Sequence, residues 1–341
     1  MCPIKKLTNQ SWQLRVEYHK GPYWVPFFII YTNDLPNALI HSKSILFADD
    51  TTIYYSSKNI SHIFDKINND LNSLEDWFKA NKLSLNISKT HYMIFPWQLT
   101  KHENLSLKIN NEIINQVNKV KFLGMIIDEN LTWQEHINYC SNKMSSGLYA
   151  INSSKHLLTR EHLKTLYYSL THSYLNYGLL LWGSSNKRHI SKLEIKQNKT
   201  IRIINNSKYN APAIPIYKGL NILPIANLFK LQLGKFMYLY SRRELPRPLQ
   251  NIFCLNSDIH SHNTRNKNAP HITEIHSKTI CKSFIHAAPQ TWYNIPEKIK
   301  KLRTIKSFSS KLKQDLLKEV KINIVMLNRT QCTDIFTKMF F

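Results

Sequence analysis

At 341 residues and 43% apolar side chains the chain carries enough material for two or three compact units, so disorder is not its default state. Its 46 Lys and Arg against 22 Asp and Glu leave a formal net charge of +24, which calls for a polyanionic partner such as nucleic acid or an acidic membrane face. Only 7 glycines occur, which disfavours a glycine-rich nucleotide loop, and 5 cysteines spaced far apart without a CxxC pair give neither a disulfide framework nor a zinc signature.

No apolar run approaches the roughly 20 residues a membrane span needs, and the N-terminus leads into no apolar core of a secretory signal. These features suit a reducing intracellular setting, nuclear or cytoplasmic, with no membrane partner.

Residues 1–22 show no periodicity. An apolar run from Trp24 ends at Asn33-Asp34-Leu35-Pro36, where Pro36 is expected to stop a helix. Ser44–Phe47 and Thr52–Tyr55 are short and rich in Ile, Phe, Thr and Tyr, and predict a β-hairpin around Ala48-Asp49-Asp50-Thr51. Ile60, Phe64, Ile67, Leu71, Leu74 and Phe78 recur at three- and four-residue steps, predicting an amphipathic helix capped by Asn59 or Ser61. His91–Phe95 reads as a strand, Leu105–Ile109 and Ile113–Val117 as a hairpin, and Val120–Ile127 as a single strand carrying Phe122-Leu123-Gly124.

After Thr132 the pattern turns helical: Trp133–Ser154, Thr159–Tyr174, Leu179–Trp182 and Ile190–Asn205. Ala211–Pro215 is a proline-bearing break and the best linker candidate, followed by helix over Leu220–Tyr240. Asn251–His276 reads as a polar loop, and Phe284–Val320 as an apolar turn with a last amphipathic helix. The expected organisation is an irregular segment 1–22, then units at 23–130, 131–210 and 211–341, the last holding the loop 251–276.

Two adjacent carboxylates at a hairpin tip raise each other's pKa unless a cation lies against them. A divalent ion removes that penalty and serves phosphoryl transfer. On pattern alone an Asp-Asp turn is ordinary. The neighbouring motifs are more specific. Asn33-Asp34-Leu35-Pro36, Phe47-Ala48-Asp49-Asp50, Asn81-Lys82-Leu83-Ser84-Leu85-Asn86 with Lys89-Thr90, and Phe122-Leu123-Gly124 follow one another in an order and spacing that resembles the palm of reverse transcriptases from non-long-terminal-repeat retrotransposons, the jockey-like elements in particular. Tyr174-Leu175-Asn176-Tyr177-Gly178 with Trp182-Gly183, Asn263-Thr264-Arg265 and Trp292-Tyr293-Asn294-Ile295-Pro296 resemble the region those proteins carry after the palm. The resemblance covers residues 24–320.

It implies an α+β fold: a partial polymerase palm, an antiparallel sheet with helices, followed by an all-α thumb at 131–210 and a C-terminal helical region. It implies RNA-directed DNA polymerase chemistry on RNA and DNA, an RNA–DNA hybrid or a single strand, with Mg²⁺ held by Asp49 and, less directly, Asp50. Lys89 matches the basic residue near departing pyrophosphate, though by itself it reads as a solvated loop lysine. Phe122, Leu123 and Gly124 match the turn that grips the primer end, though an apolar strand before Gly is common in any sheet.

The sequence also departs from the pattern. The family places another metal carboxylate on an earlier strand within Asp-x-Ser-x-Ala-Phe-Asp, and only Glu17 and Asp34 are acidic before Asp49. The Gly-x-Pro-Gln-Gly-Ser template loop is replaced by Gly21-Pro22-Tyr23-Trp24-Val25-Pro26. The expectation is a truncated chain, or a mis-delimited gene, inactive alone.

Two other readings stay open: a nucleic-acid-binding remnant without catalysis, and a relic without function. For the binding reading, Arg188, Lys192, Lys196 and Lys199 share one helical face with Arg202 close behind, and Tyr167, Tyr168, Tyr174 and Tyr177 offer stacking rings. The plainer alternative is a solvated lysine face over core tyrosines. Oligomeric state is open.

Overall fold

The computed structural model describes residues 29–319 except 49, 58, 84, 96–105, 254, 260–269 and 271–283. The chain divides into two compact units, Met1–Val120 and Lys121–Phe341. The architecture is mixed, with helices predominating over small sheets. The polar loop expected at 251–276 and the Asn263-Thr264-Arg265 motif lie mostly outside the described residues.

In the first unit the hairpin pairs β1 (Lys43–Phe47) with β2 (Asp50–Tyr54), antiparallel, with Phe47 opposite Asp50. Its connection is thus two residues, and Ala48 sits there at φ +52°. Helix α1 (Ile60–Ala80) begins where Asn59 accepts a hydrogen bond from the Ser61 amide at 3.0 Å, so Asn59 is the cap. Its stripe of Phe64, Leu71 and Leu74 packs with Leu35, Leu107, Ile109 and Ile114. That periodicity is why the segment is a helix here: its apolar face has strands to cover.

Polar residues of α1 hold those strands in place. Asn68 donates to the Ser106 carbonyl and accepts from the Lys108 amide, and Glu75 accepts from the Asn110 amide at 3.0 Å. Asp70, fully buried, accepts from the amides of Ile40, His41 and Ser42 at 2.6–3.2 Å, and so fixes the chain as it enters β1. Burial by itself would raise the Asp70 carboxyl. Hydrogen bonding from Ser42, Ile40 and His41 outweighs it, and the group lies below its usual value.

The expected antiparallel palm sheet is not formed as one sheet. Among the described residues every sheet has two strands: β1–β2, β3 (His91–Tyr92) with β6 (Asn115–Gln116), β4 (Lys108–Ile109) with β5 (Glu112–Ile113), and β7 (Lys119–Phe122) with β8 (Met125–Asp128). The β3–β6 pair is parallel. Tight turns limit these strands: Asn110 and Asn111 both have positive φ between β4 and β5. The expected strand Val120–Ile127 is also two strands, because Leu123 at φ +45° and Gly124 at φ +82° reverse the chain between them. Pro36 does not end a helix; it lies inside a 3-10 turn, Leu35–Ala38.

The second unit is helical. Helix α2 (Gln134–Ser154) starts from Trp133 in the left-handed region, and Asp128 accepts from the Thr132 and Trp133 amides at 2.9 Å. Helix α3 (Arg160–Tyr167) runs through a π turn, Tyr168–His172, into α4 (Ser173–Asn176). The expected single helix Thr159–Tyr174 therefore carries a widened turn. A Cβ at Gly147 of α2 would lie 2.9 Å from the Leu170 carbonyl oxygen, so glycine lets α2 pass this turn closely.

Helix α5 (Leu179–Trp182) leads to α6 (Lys187–Ile204), α7 (Ala213–Leu220) and α8 (Ile225–Ser241). The segment expected as a linker, 211–215, runs through the N-cap Pro212 into α7, with Ala211 and Ala213 packed against the core. Leu220–Tyr240 is not one helix, because Asn221 is left-handed and Pro224 precedes α8. The short α9 (Asn256–Ile259), α10 (Phe284–Tyr293), α11 (Glu297–Lys300) and helical residues 305–319, called α12, complete the unit.

The largest core gathers Ile137, Met144, Leu179, Trp182, Leu193 and Phe308 from α2, α5, α6 and α12. A second core holds Ile151, Leu163, Tyr167, Ile201 and Tyr217. At its margin the buried Gln197 is fully engaged: it donates to the Tyr167 hydroxyl and the Leu223 carbonyl and accepts from the Ile225 amide.

Candidate active site and nucleic-acid interface

The hairpin β1–β2 brings the acidic pair to a tip. Asp50 opens β2 and is exposed; position 49 lies outside the described residues. Leu46 and Ile53 turn inward against the core while Ile45, Phe47 and Tyr54 face outward. Alternation along two paired strands thus fixes which way the tip points.

Among the described residues no three His, Cys, Asp or Glu side chains converge. A divalent cation in a phosphoryl-transfer site needs carboxylates from more than one strand. The carboxylates among the described residues do not meet that need.

Lys89 ends the 3-10 turn Ile87–Lys89, where Asn86 accepts from the Lys89 amide at 3.3 Å and from the Ser88 hydroxyl at 2.7 Å. The lysine is exposed and makes no ion pair with a described residue. Phe122 ends β7, and Leu123 and Gly124 form the turn between β7 and β8.

That turn has a support the sequence did not announce. The Tyr177 hydroxyl donates to the Leu123 carbonyl, and its ring lies 3.5 Å from where a Cβ of Gly124 would stand. Gly178, at φ +62°, comes directly after it, and a Cβ there would meet the Met125 sulfur at 2.3 Å. The Trp182 indole N–H then donates to the Tyr177 carbonyl at 2.9 Å. Tyr177-Gly178 and Trp182 thus act together as a clamp on the Leu123–Gly124 turn. The signal in the sequence was the motif Tyr174-Leu175-Asn176-Tyr177-Gly178 with Trp182-Gly183, which marks the segment but not its contact with Leu123.

The basic residues singled out for the nucleic-acid face, Arg188, Lys192, Lys196, Lys199 and Arg202, lie on α6, whose N-cap Asn186 accepts from the Arg188 amide at 3.1 Å. The structure treats them differently. Arg188 and Lys199 are exposed and make no ion pair with a described residue. Lys192 donates to Asn138 at 3.1 Å. Lys196 reaches the Ser141 carbonyl at 2.7 Å and the Ser145 hydroxyl, and burial, then Lys199, lowers its pKa. Arg202 donates to the Ala211 carbonyl at 2.8 Å. So Lys192, Lys196 and Arg202 also tie α6 to its surroundings.

The four tyrosines divide as well. Tyr167 is fully buried and cannot stack on a base, which is the plainer of the two readings, a core tyrosine. Tyr174 is half-buried and packs edge-on to Tyr139, whereas Tyr168 and Tyr177 are exposed. His136 and Cys140, one helical turn apart in α2, form another polar contact in the core, 3.5 Å apart. Burial pushes the Cys140 thiol up to about 12 and lowers His136, so this pair holds a protonated thiol rather than a nucleophile. None of the described helices is long and apolar enough to cross a membrane.

Residues 25–127 match the family "Reverse transcriptase (RNA-dependent DNA polymerase)". The chain is 23% identical over 205 residues to the probable RNA-directed DNA polymerase from transposon X-element of Drosophila melanogaster, covering 58% of this chain and 22% of that one. It is 24% identical over 244 residues to the corresponding protein from transposon BS of the same species, covering 66% and 27%. With the RNA-directed DNA polymerase from mobile element jockey of Drosophila funebris it shares 21% over 192 residues, 53% of this chain and 21% of that one. The chain thus spans about a quarter of the length of the curated relatives it matches. No solved structure matches it significantly.

Proposed function

We propose, from the premise that this chain is a relative of the retrotransposon RNA-directed DNA polymerases with a reverse-transcriptase segment at residues 25–127, that it is the part of such a polymerase that presents the acidic hairpin and grips nucleic acid, and that it does not synthesise DNA by itself. The observation that carries this reading is the β1–β2 register, which sets Asp50 at the mouth of a two-residue turn directly after position 49. Residues 23–130 then correspond to part of the palm, 131–210 to the thumb and 211–341 to the region after it.

In a complete site Mg²⁺ would supply charge neutralisation for phosphoryl transfer. Asp49 and Asp50 would be two of its ligands, Lys89 would face the departing pyrophosphate, and Phe122, Leu123 and Gly124 would hold the primer end. The clamp of Tyr177 on the Leu123 carbonyl supports the last of these, since a grip needs a turn that does not yield. Arg188, Lys192 and Lys199, with Lys196 and Arg202 bracing the helix, would face the phosphates of an RNA–DNA hybrid or a single strand. Such a role places the chain inside the cell, in the nucleus or cytoplasm, where both nucleic acids occur.

A primed RNA template, deoxynucleotides and Mg²⁺ test both halves. The 341-residue chain should retain the template in a binding assay and show no extension above an Asp49→Ala, Asp50→Ala control. Extension that disappears in the control would mean that another residue completes the metal site. Failure to bind primed RNA at low salt would remove the polymerase reading itself.

A further inference from the structure

Two clefts open beside α12 in the second unit. The first, about 480 Å³, contains both partners of the Lys318–Asp315 pair at 3.8 Å and of the Lys230–Glu319 pair at 3.7 Å, so its charges cancel. The second, about 410 Å³, is lined by Lys235 of α8, Lys306 and Lys313 of α12, and Asn221, Ser309, Ser310 and Gln314 among others. No carboxylate lines it, and none of its three lysines makes an ion pair with a described residue.

We propose that this lysine-lined cleft between α8 and α12 is a binding site for a phosphate group, carried in its natural setting by the backbone of a nucleic-acid strand.

The chemistry comes from the surroundings of the three ammonium groups. Lys235 and Lys313 are half-buried, so their charges are less screened than those of a solvated face. The wider field is not relieved from behind. Burial, then Lys164, lowers the pKa of Lys313, and His172 is pushed down to about 4 by burial and then by Lys313. Among the described residues Lys164 pairs only with the exposed Glu161, at 3.8 Å.

A tetrahedral oxyanion offers several acceptor oxygens and suits a mixed set of ammonium, hydroxyl and amide donors. The cleft has all three. It differs from the α6 face, where Lys192 and Lys196 already donate to α2. The proposal depends on the polymerase reading only for the source of the phosphate.

The test compares Lys235→Gln, Lys306→Gln, Lys313→Gln with Lys298→Gln, Lys301→Gln, Lys311→Gln, which removes equal charge outside the cleft. Binding of a single-stranded oligonucleotide is titrated at several salt concentrations. Inorganic phosphate is titrated separately, at constant ionic strength, against the protein's thermal midpoint. The cleft variant should flatten the logarithmic salt slope by about 0.7 more than its comparison, the contribution of one phosphate of a single strand. It should also lose the midpoint rise that phosphate gives the unaltered chain. Loss of the phosphate response alone, with equal oligonucleotide slopes, would keep the phosphate site and assign it to a free anion. Equal slopes together with an unchanged phosphate response would overturn the site. Arginine at the same three positions restores charge and should restore binding, which separates lost contacts from lost folding. Failure of primer extension or of template binding elsewhere leaves the phosphate arm standing, so the two readings fail separately.

Discussion

Asp70→Ala should destabilise the first unit by about 3 kcal/mol or more, and hydrogen exchange at Ile40, His41 and Ser42 should accelerate to match that loss. The carboxylate is fully buried and accepts from all three amides. Its removal strands three donors at about 1–3 kcal/mol each, and water entering the vacated space recovers part of that. The same group makes stability depend on acidity. Because its folded pKa lies below the unfolded value of about 3.9, the contribution is complete above that value and disappears as pH falls through the folded pKa. Asp70→Asn turns an amide nitrogen or a single acceptor toward the same donors, so it should be destabilised too, but with a flat profile across that window. An Asp70→Ala chain that loses less than about 1 kcal/mol would show that this loop is held by other contacts.

Trp182→Ala should cost the second unit about 3–5 kcal/mol, the range for truncating a buried large aromatic. Trp182 is wholly inaccessible, packs in the main core and meets the His136 ring edge-on at 5.7 Å. It also donates to the Tyr177 carbonyl, so the truncation frees the residue that holds the Leu123–Gly124 turn. Trp182→Phe keeps most of the packing and loses the donor, and should fall between the two. Urea titration monitored by far-ultraviolet circular dichroism measures both midpoints. A Trp182→Ala midpoint within error of the parent chain would contradict the assignment of this side chain to the centre of the core.

What the sequence made visible depended on how local the determining interaction is. The helix Ile60–Ala80 and the hairpin around Asp49-Asp50 could be read directly, because periodicity and turn length are properties of a few adjacent residues. Asp70 was less visible. It stands three residues after Ile67 and next to Leu71, on the flank of the apolar stripe, and a charge there is the one hint that a helix is bonding to something beyond itself. The apolar pattern runs a strand through Leu123–Gly124 because leucine rarely takes positive φ; the turn there was indicated by the family resemblance and, among the residues, by Gly124 alone.

The spacing of the basic residues put them on a helix, as α6 does, yet spacing does not say what lies opposite. Asn138, Ser141 and Ser145 of α2 are set three and four residues apart and form a polar stripe that receives Lys192 and Lys196. Two such stripes in one sequence are a sign of paired helices, detectable only when both are considered together. Burial of Tyr167 has the same origin: its hydroxyl is satisfied by Gln197, thirty residues away in the chain.

The π turn Tyr168–His172 sets the angular phase of the helix that continues beyond it. A π turn holds roughly one residue more than an α turn, so deleting one residue there would let the helix close into a regular α spiral with its hydrogen bonds kept. The narrower turn would sweep nearly the same angle with one residue fewer, so Ser173–Asn176 would keep its phase and Tyr177 its direction toward Leu123. A deletion in the regular helix before it, Arg160–Tyr167, has no such outlet and would rotate everything beyond by about 100°, the advance of one α-helical residue. Length variation is usually absorbed by loops, where it changes little; here the widened turn is the place inside a helix where one codon could be lost without moving the clamp on Leu123.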